Sequence, residues 1–202
     1  MTSETIVHII DDDDAVRDSL AFLLESADMA VRTYESAVRF LEQSSGLERG
    51  CIVTDVRMPD MTGLDLVRHL NAQGSSLPVI VITGHGDVPL AVEAMRAGVV
   101  DFIEKPFDDE LMLTALRRAL DISRNHAEEA SERRDIAQRL ARLSTRERQV
   151  LDGLVAGQAN KVVALSLGIS PRTVEVYRAN LMTKMRASSL SELVRMTLNA
   201  DR

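Results

Sequence analysis

Cysteine and long apolar runs are nearly absent from this 202-residue sequence. Its single cysteine, Cys51, cannot form an internal disulfide, and we expect it to be a small apolar residue in a strand of a protein from a reducing compartment. No segment approaches the roughly 20 apolar residues that a membrane-spanning helix needs. The opening MTSETIVHII has no basic region before its apolar residues, so no secretory signal is expected. We therefore expect a cytoplasmic protein without a membrane partner.

The charges of the chain divide it into segments of opposite sign. Residues 1–120 carry 10 Lys and Arg against 21 Asp and Glu, whereas residues 141–202 carry 10 against 5. Residues 121–140 are nearly balanced, with 4 against 5. An acidic segment can hold a cation, and a basic one can neutralise phosphates. The distribution predicts two modules with different partners, at 1–120 and 141–202, joined by a linker at 121–140.

The first 120 residues alternate between strand and helix patterns. Short apolar runs predict strands at residues 6–10, 29–33, 51–54, 78–83 and 99–104. Helical spacing predicts helices at residues 15–27, 36–44, 62–73, 88–97 and 108–120. Near-continuous apolar strands are typical of a parallel sheet covered on both faces. We expect a doubly wound, flavodoxin-like α/β domain whose five strands are ordered 2-1-3-4-5.

The rest of the chain shows only helical signals. The linker at 121–140 has no Gly or Pro and is interpreted as an exposed helix, with a flexible linker as the alternative. Ser144 and Glu147 form a capping box at the start of the next helix. Further helices are predicted at 160–167, from Pro171 to Met185 behind the N-cap Ser170, and at 189–198. Residues 141–202 therefore predict an all-α domain of four helices.

Three aspartates follow predicted strands of the first domain. Asp11 and Asp12 end the first strand, and Asp55 ends the third. In the order 2-1-3-4-5 these strands are neighbours, so the carboxylates converge at one edge of the sheet. Three like charges need a counterion, and Mg²⁺ prefers such oxygen ligands. The alternative is a solvated turn or helix cap at residues 11–14, and we expect Asp14 to cap the first helix.

Two further strands end in groups that suit phosphate chemistry. Thr83 ends the fourth strand with a hydroxyl, and Lys105 ends the fifth with an ammonium. A carboxylate nucleophile, a metal ion, a hydroxyl and an ammonium together can accept and stabilise a phosphoryl group. An aspartyl-phosphate phosphatase dependent on Mg²⁺ is the alternative. It would need a carboxylate two residues after Asp55, where this chain has Arg57.

The motifs at these positions resemble those of a known family. DD (11–12), TDVRMPDMTG (54–63), ITGHGD (82–87) and DFIEKPF (101–107) are similar to the receiver domain of two-component response regulators. LSTRERQVLDGLVAGQANKVVALSLGISPRTVEVYRANLMTKM (143–185) is similar to the LuxR-type helix-turn-helix of the NarL/FixJ subfamily. The two resemblances are independent and together cover nearly the whole chain.

The resemblance implies roles for single residues of the first domain. Asp55 is the phosphoacceptor for a sensor histidine kinase. The residues that it assigns to Mg²⁺ are Asp12, Asp55, the backbone carbonyl of Arg57 and, partly through water, Asp11. Lys105 pairs with the phosphate, Thr83 moves to hydrogen-bond it, and Phe102 is the aromatic switch residue. The domain catalyses only its own phosphoryl transfer and dephosphorylation, so the resemblance implies a regulator and not a metabolic enzyme.

A narrower resemblance concerns the regulated genes. The segments ITGHGDVP, FIEKPF and SPRTVEVYRAN are similar to rhizobial regulators of nitrogen-fixation genes. This similarity implies activation of transcription under low oxygen, a FixL-like sensor kinase, and RNA polymerase as a partner. The same architecture serving another signal is the alternative. For the phosphorylated receiver we expect a homodimer through residues 88–97 with 101–102.

The third helix of the C-terminal domain has two unlike sides. Val174, Tyr177, Leu181 and Met185 share helical spacing and predict a core-facing stripe. The opposite side is expected to enter the major groove of double-stranded promoter DNA, and it carries Arg172, Glu175, Val176 and Ala179. Glu175 can accept from cytosine, and Val176 can contact a thymine methyl group.

Other side chains of this domain suit the DNA backbone. Phosphate contacts are predicted for Lys161, Arg172, Thr173, Arg178 and Lys184. Alternative interpretations are an ordinary helical bundle or dimerisation domain, and an output that binds RNA or protein. The basic excess and the SPRTVE turn favour DNA.

Overall fold

The computed structural model describes residues 5–44, 46–84, 86 and 88–200, without the side chain of Ala200. His85 and Asp87 of the ITGHGD motif lie outside the described residues. The chain divides into two compact units, Met1–Ala127 and Glu128–Arg202. Among the described residues, no helix is both long and apolar enough to span a membrane.

The first unit contains a five-stranded parallel sheet. Its strands are β1 (Ile6–Ile10), β2 (Ala30–Tyr34), β3 (Gly50–Asp55), β4 (Val79–Thr83) and β5 (Asp101–Glu104). Their order is β2-β1-β3-β4-β5, and every pair is parallel. The predicted flavodoxin-like α/β fold is confirmed.

Helices cover both faces of this sheet. They are α1 (Asp14–Ser26), α2 (Ala37–Gln43), α3 (Gly63–Ala72), α4 (Val88–Arg96) and α5 (Asp109–Ala141). Successive residues of the buried strands contribute to different cores: Ile52 packs in one cluster, and its neighbours Cys51 and Val53 pack in another. This alternation explains why the strands are apolar throughout instead of at every second position.

The N-cap of the first helix lies one residue before the predicted one. Asp13 is the N-cap, because its carboxylate accepts hydrogen bonds from the backbone N–H groups of Ala15 and Val16. Asp14 is already the first residue of α1. The prediction that Asp14 caps the helix is therefore wrong. The stretch of four aspartates offered several N-cap candidates, and only the backbone conformation distinguishes between them.

Helix α5 continues through the segment predicted as a linker. Residues 121–140 are helical, and the first unit extends past the predicted boundary at residue 120. Buried Ser123 accepts a hydrogen bond from the N–H of Gly50 at 2.9 Å, and His126 Nδ1 lies 3.1 Å from the carbonyl of Ser76. These contacts attach the residues just beyond 120 to the sheet domain.

The second unit is entirely helical. After the end of α5 it contains α6 (Thr145–Val155), α7 (Asn160–Leu167), α8 (Pro171–Met185) and α9 (Leu190–Ala200). The capping box of Ser144 and Glu147 and the Ser170 N-cap before Pro171 are confirmed. Gly168 ends α7 with φ 65°, a conformation that glycine adopts without strain. The predicted four-helix domain is confirmed.

Candidate functional site

Two buried carboxylates meet at the carboxyl edge of the sheet. Strands β1 and β3 are neighbours, with Ile10 paired to Thr54, so the residues that follow, Asp11 and Asp55, lie side by side. Both residues are buried, with 1% and 7% of their surface exposed. Two like charges in a buried site are unfavourable without a counterion.

Lys105 supplies that counterion from the end of β5. Its Nζ donates to Asp11 Oδ2 at 2.7 Å and to Asp55 Oδ1 at 2.8 Å. Burial alone would lower the pKa of the Lys105 ammonium, but the hydrogen bonds to the two carboxylates outweigh it and raise the pKa above its usual value. Lys105 is thus protonated and bridges the two acids.

The loop that carries Asp11 is held by a residue that sequence reasoning missed. Arg17, on the first turns of α1, donates from Nη1 to the carbonyl of Asp11 at 2.6 Å and also pairs with Asp14. The N–H of Asp13 donates to Asp11 Oδ1 at 2.9 Å. An arginine six residues after an aspartate is no signal by itself, because such a contact depends on how the loop turns into the helix.

Asp12 does not join the other two carboxylates. It is exposed to solvent, whereas Asp11 is buried, because the chain bends at Asp12 as it leaves β1. Within the described part of the chain, no group of three or more His, Cys, Asp or Glu side chains is arranged to hold a metal ion. The predicted convergence of three carboxylates is therefore met by Asp11 and Asp55 only. The buried cluster of two carboxylates and one ammonium still has a net negative charge, and Asp12 lies next to it on the solvent side.

The remaining predicted residues of this site lie in or next to strands β3, β4 and β5. Thr83 is buried at the end of β4, and its carbonyl accepts from the N–H of Lys105 at 2.7 Å. The N–H of Arg57 donates to Asp55 Oδ2 at 2.6 Å, while the Arg57 side chain is exposed. Phe102 is partly buried and packs against one of the sheet cores. The structure thus brings Asp11, Asp55, Thr83 and Lys105 to one edge of the sheet.

Gly63 is a further residue on which the site depends. It begins α3, and a Cβ atom at this position would lie 2.2 Å from the carbonyl oxygen of Asp55. Its N–H donates to the carbonyl of Val56 at 3.0 Å. Only a residue without a side chain lets the start of α3 pack this closely against the strand end that carries Asp55. Thr62 and Gly63 belong to the TDVRMPDMTG motif, but the sequence does not show that Gly63 lies so close to the Asp55 carbonyl.

Helix α8 of the second unit has the two predicted sides. Val174, Leu181 and Met185 are fully buried, and Tyr177 packs against the same core. The exposed side carries Arg172, Glu175, Val176 and Ala179. An exposed fraction of 56% for Val176 is high for a large apolar side chain, and it fits a contact surface.

The side chains predicted to contact phosphates differ in how far they are exposed to solvent. Lys161 is exposed, and Arg178 is partly buried. Thr173 is partly buried and places its hydroxyl 2.8 Å from the Ser170 hydroxyl, in the cap of α8.

Lys184 has a partner that the sequence did not reveal. Its Nζ donates to Glu147 Oε2 at 2.8 Å, and the Glu147 side chain is 5% exposed. The hydrogen bond from Lys184, followed by that from the Ser144 N–H, lowers the pKa of Glu147 below its usual range. Because Lys184 neutralises a buried carboxylate, we infer a structural role for it. Its own side chain is 46% exposed, so the phosphate contact stays a prediction. The two residues are 37 positions apart, beyond the reach of any helical spacing rule.

Comparison with known proteins matches both units to protein families. The response regulator receiver domain matches residues 7–142, and the luxR family of bacterial regulatory proteins matches residues 141–197. The transcriptional regulatory protein FixJ of Azorhizobium caulinodans is 61% identical over 194 residues, which is 96% of this chain and 92% of that protein. FixJ of Bradyrhizobium diazoefficiens is 52% identical over 200 residues, covering 99% and 98% of the two chains.

Solved structures show the same relationship. The response regulator StyR superposes with a TM-score of 0.84 at 37% identity, covering 97% of this chain and 99% of that one. Full-length FixJ from B. japonicum gives a TM-score of 0.60 at 51% identity, with 99% and 98% covered. Sheet topology, helical C-terminal unit and relatives therefore agree: the chain belongs to the two-component response regulators that combine a receiver domain with a luxR-family DNA-binding domain, and it is a FixJ-like transcriptional regulator.

Proposed function

We propose that this regulator is switched by phosphorylation of Asp55 and then activates transcription from promoter DNA. The observation that carries the proposal is the pair of hydrogen bonds by which Lys105 joins Asp55 to Asp11. A carboxylate at a strand end, held by an ammonium and with a buried threonine at the end of the neighbouring strand, is the arrangement that an aspartyl phosphate needs. The phosphoryl donor is a phosphohistidine of a cognate sensor histidine kinase.

The transfer proposed for Asp55 is a single exchange of bonds. An Asp55 carboxylate oxygen attacks the phosphorus, a P–O bond forms, and the P–N bond to the kinase imidazole breaks with its electron pair on nitrogen. Water later attacks the acyl phosphate and returns Asp55 and inorganic phosphate. Lys105 stabilises charge on the phosphoryl oxygens, because its ammonium already lies beside Asp55 Oδ1.

The residues at the site fit Mg²⁺, which prefers carboxylate and carbonyl oxygens. We propose that Asp12, Asp55 and the carbonyl of Arg57 would hold it directly, with Asp11 acting partly through water. The net negative charge around Lys105 and the exposed carboxylate of Asp12 support this assignment. Bound Mg²⁺ would supply the charge needed to bring an anionic phosphoryl group to anionic Asp55.

The proposed switch follows from the charge that phosphorylation adds. A phosphate on Asp55 offers new acceptors to Lys105 and to the hydroxyl of Thr83, so both are drawn toward it. The ring of Phe102 lies beside Gly86 on the β4–α4 connection, where a Cβ would come within 3.4 Å of Phe102 Cε1. We propose that movement of Thr83 shifts this connection, so that Phe102 repacks and the β4–α4 surface takes a second arrangement.

Helix α4 is suited to the dimerisation proposed for the phosphorylated receiver. Its one fully buried residue is Ala94, whereas the apolar side chains of Val88, Val92 and Met95 are 77%, 44% and 54% exposed. Such exposed apolar side chains mark protein contact surfaces. Sedimentation velocity with and without acetyl phosphate tests this step: a shift from monomer to dimer is expected, and a persistent monomer contradicts it.

For the DNA-binding domain, we propose that the exposed side of α8 reads the major groove. Glu175 and Val176 are assigned to bases, and Arg172 and Lys161 to phosphates; the exposure of all four side chains supports this assignment. Arg178, Thr173 and Lys184 are assigned to phosphates more weakly, because the first two are partly buried and Lys184 is paired with Glu147. Dimers would bind paired half-sites and recruit RNA polymerase.

The proposed targets are nitrogen-fixation genes under low oxygen, with a FixL-like kinase. Several FixJ proteins of rhizobia at 52–61% identity support this proposal. Another signal is the alternative, because the response regulator TodT of Pseudomonas putida is also 43% identical over 96% of this chain.

Chemical mapping of the phosphoryl group tests the proposed function directly. The chain is incubated with acetyl phosphate and Mg²⁺, reduced with borohydride to convert acyl phosphate into homoserine, and analysed by peptide mass spectrometry. Conversion at Asp55 alone is expected, and Asp55→Asn should show none. Conversion at Asp11 or Asp12, or unchanged labelling of the Asp55→Asn variant, would contradict the assignment.

A further inference from the structure

The last turns of α5 contact the C-terminal end of α8. Arg139 donates from Nη1 to the backbone carbonyl of Met185, the final residue of α8, at 2.8 Å. The arginine side chain is only 16% exposed. Because both residues belong to the unit Glu128–Arg202, this contact is internal to the DNA-binding domain.

The contact completes the end of the recognition helix. The last carbonyls of a helix lack partners within it. At the end of α8, the N–H groups of Arg186 and Ala187 satisfy the carbonyls of Met182 and Thr183. The carbonyl of Met185 receives its hydrogen bond from Arg139, whose positive charge also suits the negative end of the helix.

The guanidinium of Arg139 is held in one position. Its Nη2 pairs with Asp135 one turn earlier in α5, and its Nε is buried without a hydrogen-bond partner among the described residues. Ile136 and Leu140, on either side, are buried in the same core as Met185. The end of α5 is therefore part of the support of α8, although charge and composition marked it as a linker.

We propose that Arg139 is a positioning residue for DNA recognition, which fixes the C-terminal end of α8 without touching DNA. The proposal rests on the proposed function in that α8 is taken to read the major groove. Arg139 points at a backbone carbonyl inside the domain, whereas groups that read DNA lie on the exposed side of α8. A small shift of α8 changes every base contact at once, so loss of Arg139 should weaken specific binding.

Three variants of the full-length chain distinguish the positioning of α8 by Arg139 from a general effect of positive charge on DNA binding. Arg139→Lys keeps a charged donor, and Arg139→Met removes it. Arg142→Met removes a positive charge from an exposed residue one turn further on, and serves as the matched control. The probes are a duplex selected from a random library by the wild-type chain and an unselected duplex, each in acetyl phosphate and Mg²⁺.

Arg139→Met should bind the selected duplex about ten-fold more weakly, with an unchanged slope of log affinity against log salt concentration. Hydrogen exchange at residues 181–185 should become faster in Arg139→Met and stay unchanged in Arg142→Met. Arg139→Lys keeps the positive charge but not the two separate donors, so its affinity should lie between those of the wild type and Arg139→Met. It remains informative if Arg139→Met fails to fold.

Wild-type affinity of Arg139→Met would overturn the proposal. So would a salt slope reduced by about 0.9, since that is the mark of a lost phosphate contact. If the wild-type chain selects no duplex, the proposed function fails instead. Hydrogen exchange then still decides whether Arg139 fixes the end of α8, and unchanged exchange in Arg139→Met would overturn that.

Discussion

The ammonium of Lys105 lies 2.8 Å from Oδ1 of Asp55, although 50 residues separate the two in sequence. The same ammonium lies 2.7 Å from Asp11, so one cation neutralises half of the charge of two buried acids. Lys105 is thus a structural counterion, and in the proposed function it also pairs with an arriving phosphoryl oxygen. A new anion on Asp55 would compete with Asp11 for it, which gives the site a physical means of changing state.

Loss of the Lys105 ammonium should slow phosphorylation of Asp55. For Lys105→Met we expect a rate with acetyl phosphate about 10- to 100-fold lower, because charge on the phosphoryl group is no longer stabilised. Borohydride trapping at timed intervals measures this rate. Arg118→Met removes an exposed charge of α5 outside the site and should react as the wild type does. Equal rates for both variants would remove Lys105 from the proposed chemistry.

A side chain at Gly63 should disturb Asp55. The Cβ of Gly63→Ala would meet the Asp55 carbonyl oxygen at 2.2 Å, so the start of α3 or the end of β3 must move. We expect a loss of about 1–3 kcal/mol of unfolding free energy, as for an overpacked core, together with slower phosphorylation. Urea unfolding followed by circular dichroism measures the first effect.

Gly84→Ala is the matched control for Gly63→Ala. Gly84 is exposed at the end of β4, and its added Cβ would have no atom within 4 Å. Near wild-type stability of Gly63→Ala, or an equal loss in both variants, would show that the close approach to Asp55 is not required.

Buried His8 should make the receiver less stable in acid. Burial, followed by the charge of Arg32, lowers the pKa of His8 from 6.5 to about 4. The folded state therefore binds fewer protons than the unfolded state between these values. The contribution of neutral His8 to the free energy of unfolding is present above pH 6.5 and is lost as the pH drops toward 4. At pH 5 this loss is about 2 kcal/mol relative to pH 7.5.

Substitution of His8 should remove this share of the pH dependence. Unfolding by urea at pH 7.5 and pH 5 is compared for the wild type, His8→Leu and His69→Gln. His69 is exposed, so its variant should keep the full acid loss. A wild-type acid loss in His8→Leu would show that other groups cause it.

Lys184 and Lys161 should act on different properties of the DNA-binding domain. Lys184→Met leaves the Glu147 carboxylate buried without its ammonium partner, and we expect about 1–2 kcal/mol lower stability with an unchanged salt slope of DNA binding. Exposed Lys161 has no such partner among the described residues, so Lys161→Met should keep the stability and reduce the slope by about 0.9. Thermal unfolding and binding isotherms at several salt concentrations separate the two. A reduced salt slope of DNA binding in Lys184→Met would show instead that Lys184 contacts a phosphate.

Local patterns predicted most of the fold. Apolar runs located every strand of the sheet, and the Ser144–Glu147 box and the Ser170–Pro171 pair located the starts of α6 and α8. These features involve residues within one turn or one strand. The meeting of Asp11 and Asp55 also followed, because the carboxyl ends of parallel strands share one edge of a sheet.

Contacts between distant residues could not be predicted in the same way. Glu147 with Lys184, Arg139 with Met185 and Ser123 with Gly50 join residues more than a helical turn apart. They depend on how whole elements pack. For the same reason the sequence grouped Asp12 with Asp11, although the turn after β1 sends one side chain outward and buries the other. The residue types at the strand ends could therefore be predicted from the sequence. The distant residues that hold the carboxylate site and helix α8 in place could not.

DNase footprinting tests the central claim most directly, that the state of Asp55 controls binding to DNA. Wild type and Asp55→Asn are compared on rhizobial fix and nif promoter fragments, with and without acetyl phosphate and Mg²⁺. The account predicts protection that strengthens at least ten-fold on phosphorylation of the wild type and does not strengthen in Asp55→Asn. Equal protection in all lanes would contradict the switch while leaving DNA binding intact, and absence of protection would contradict the proposed target genes.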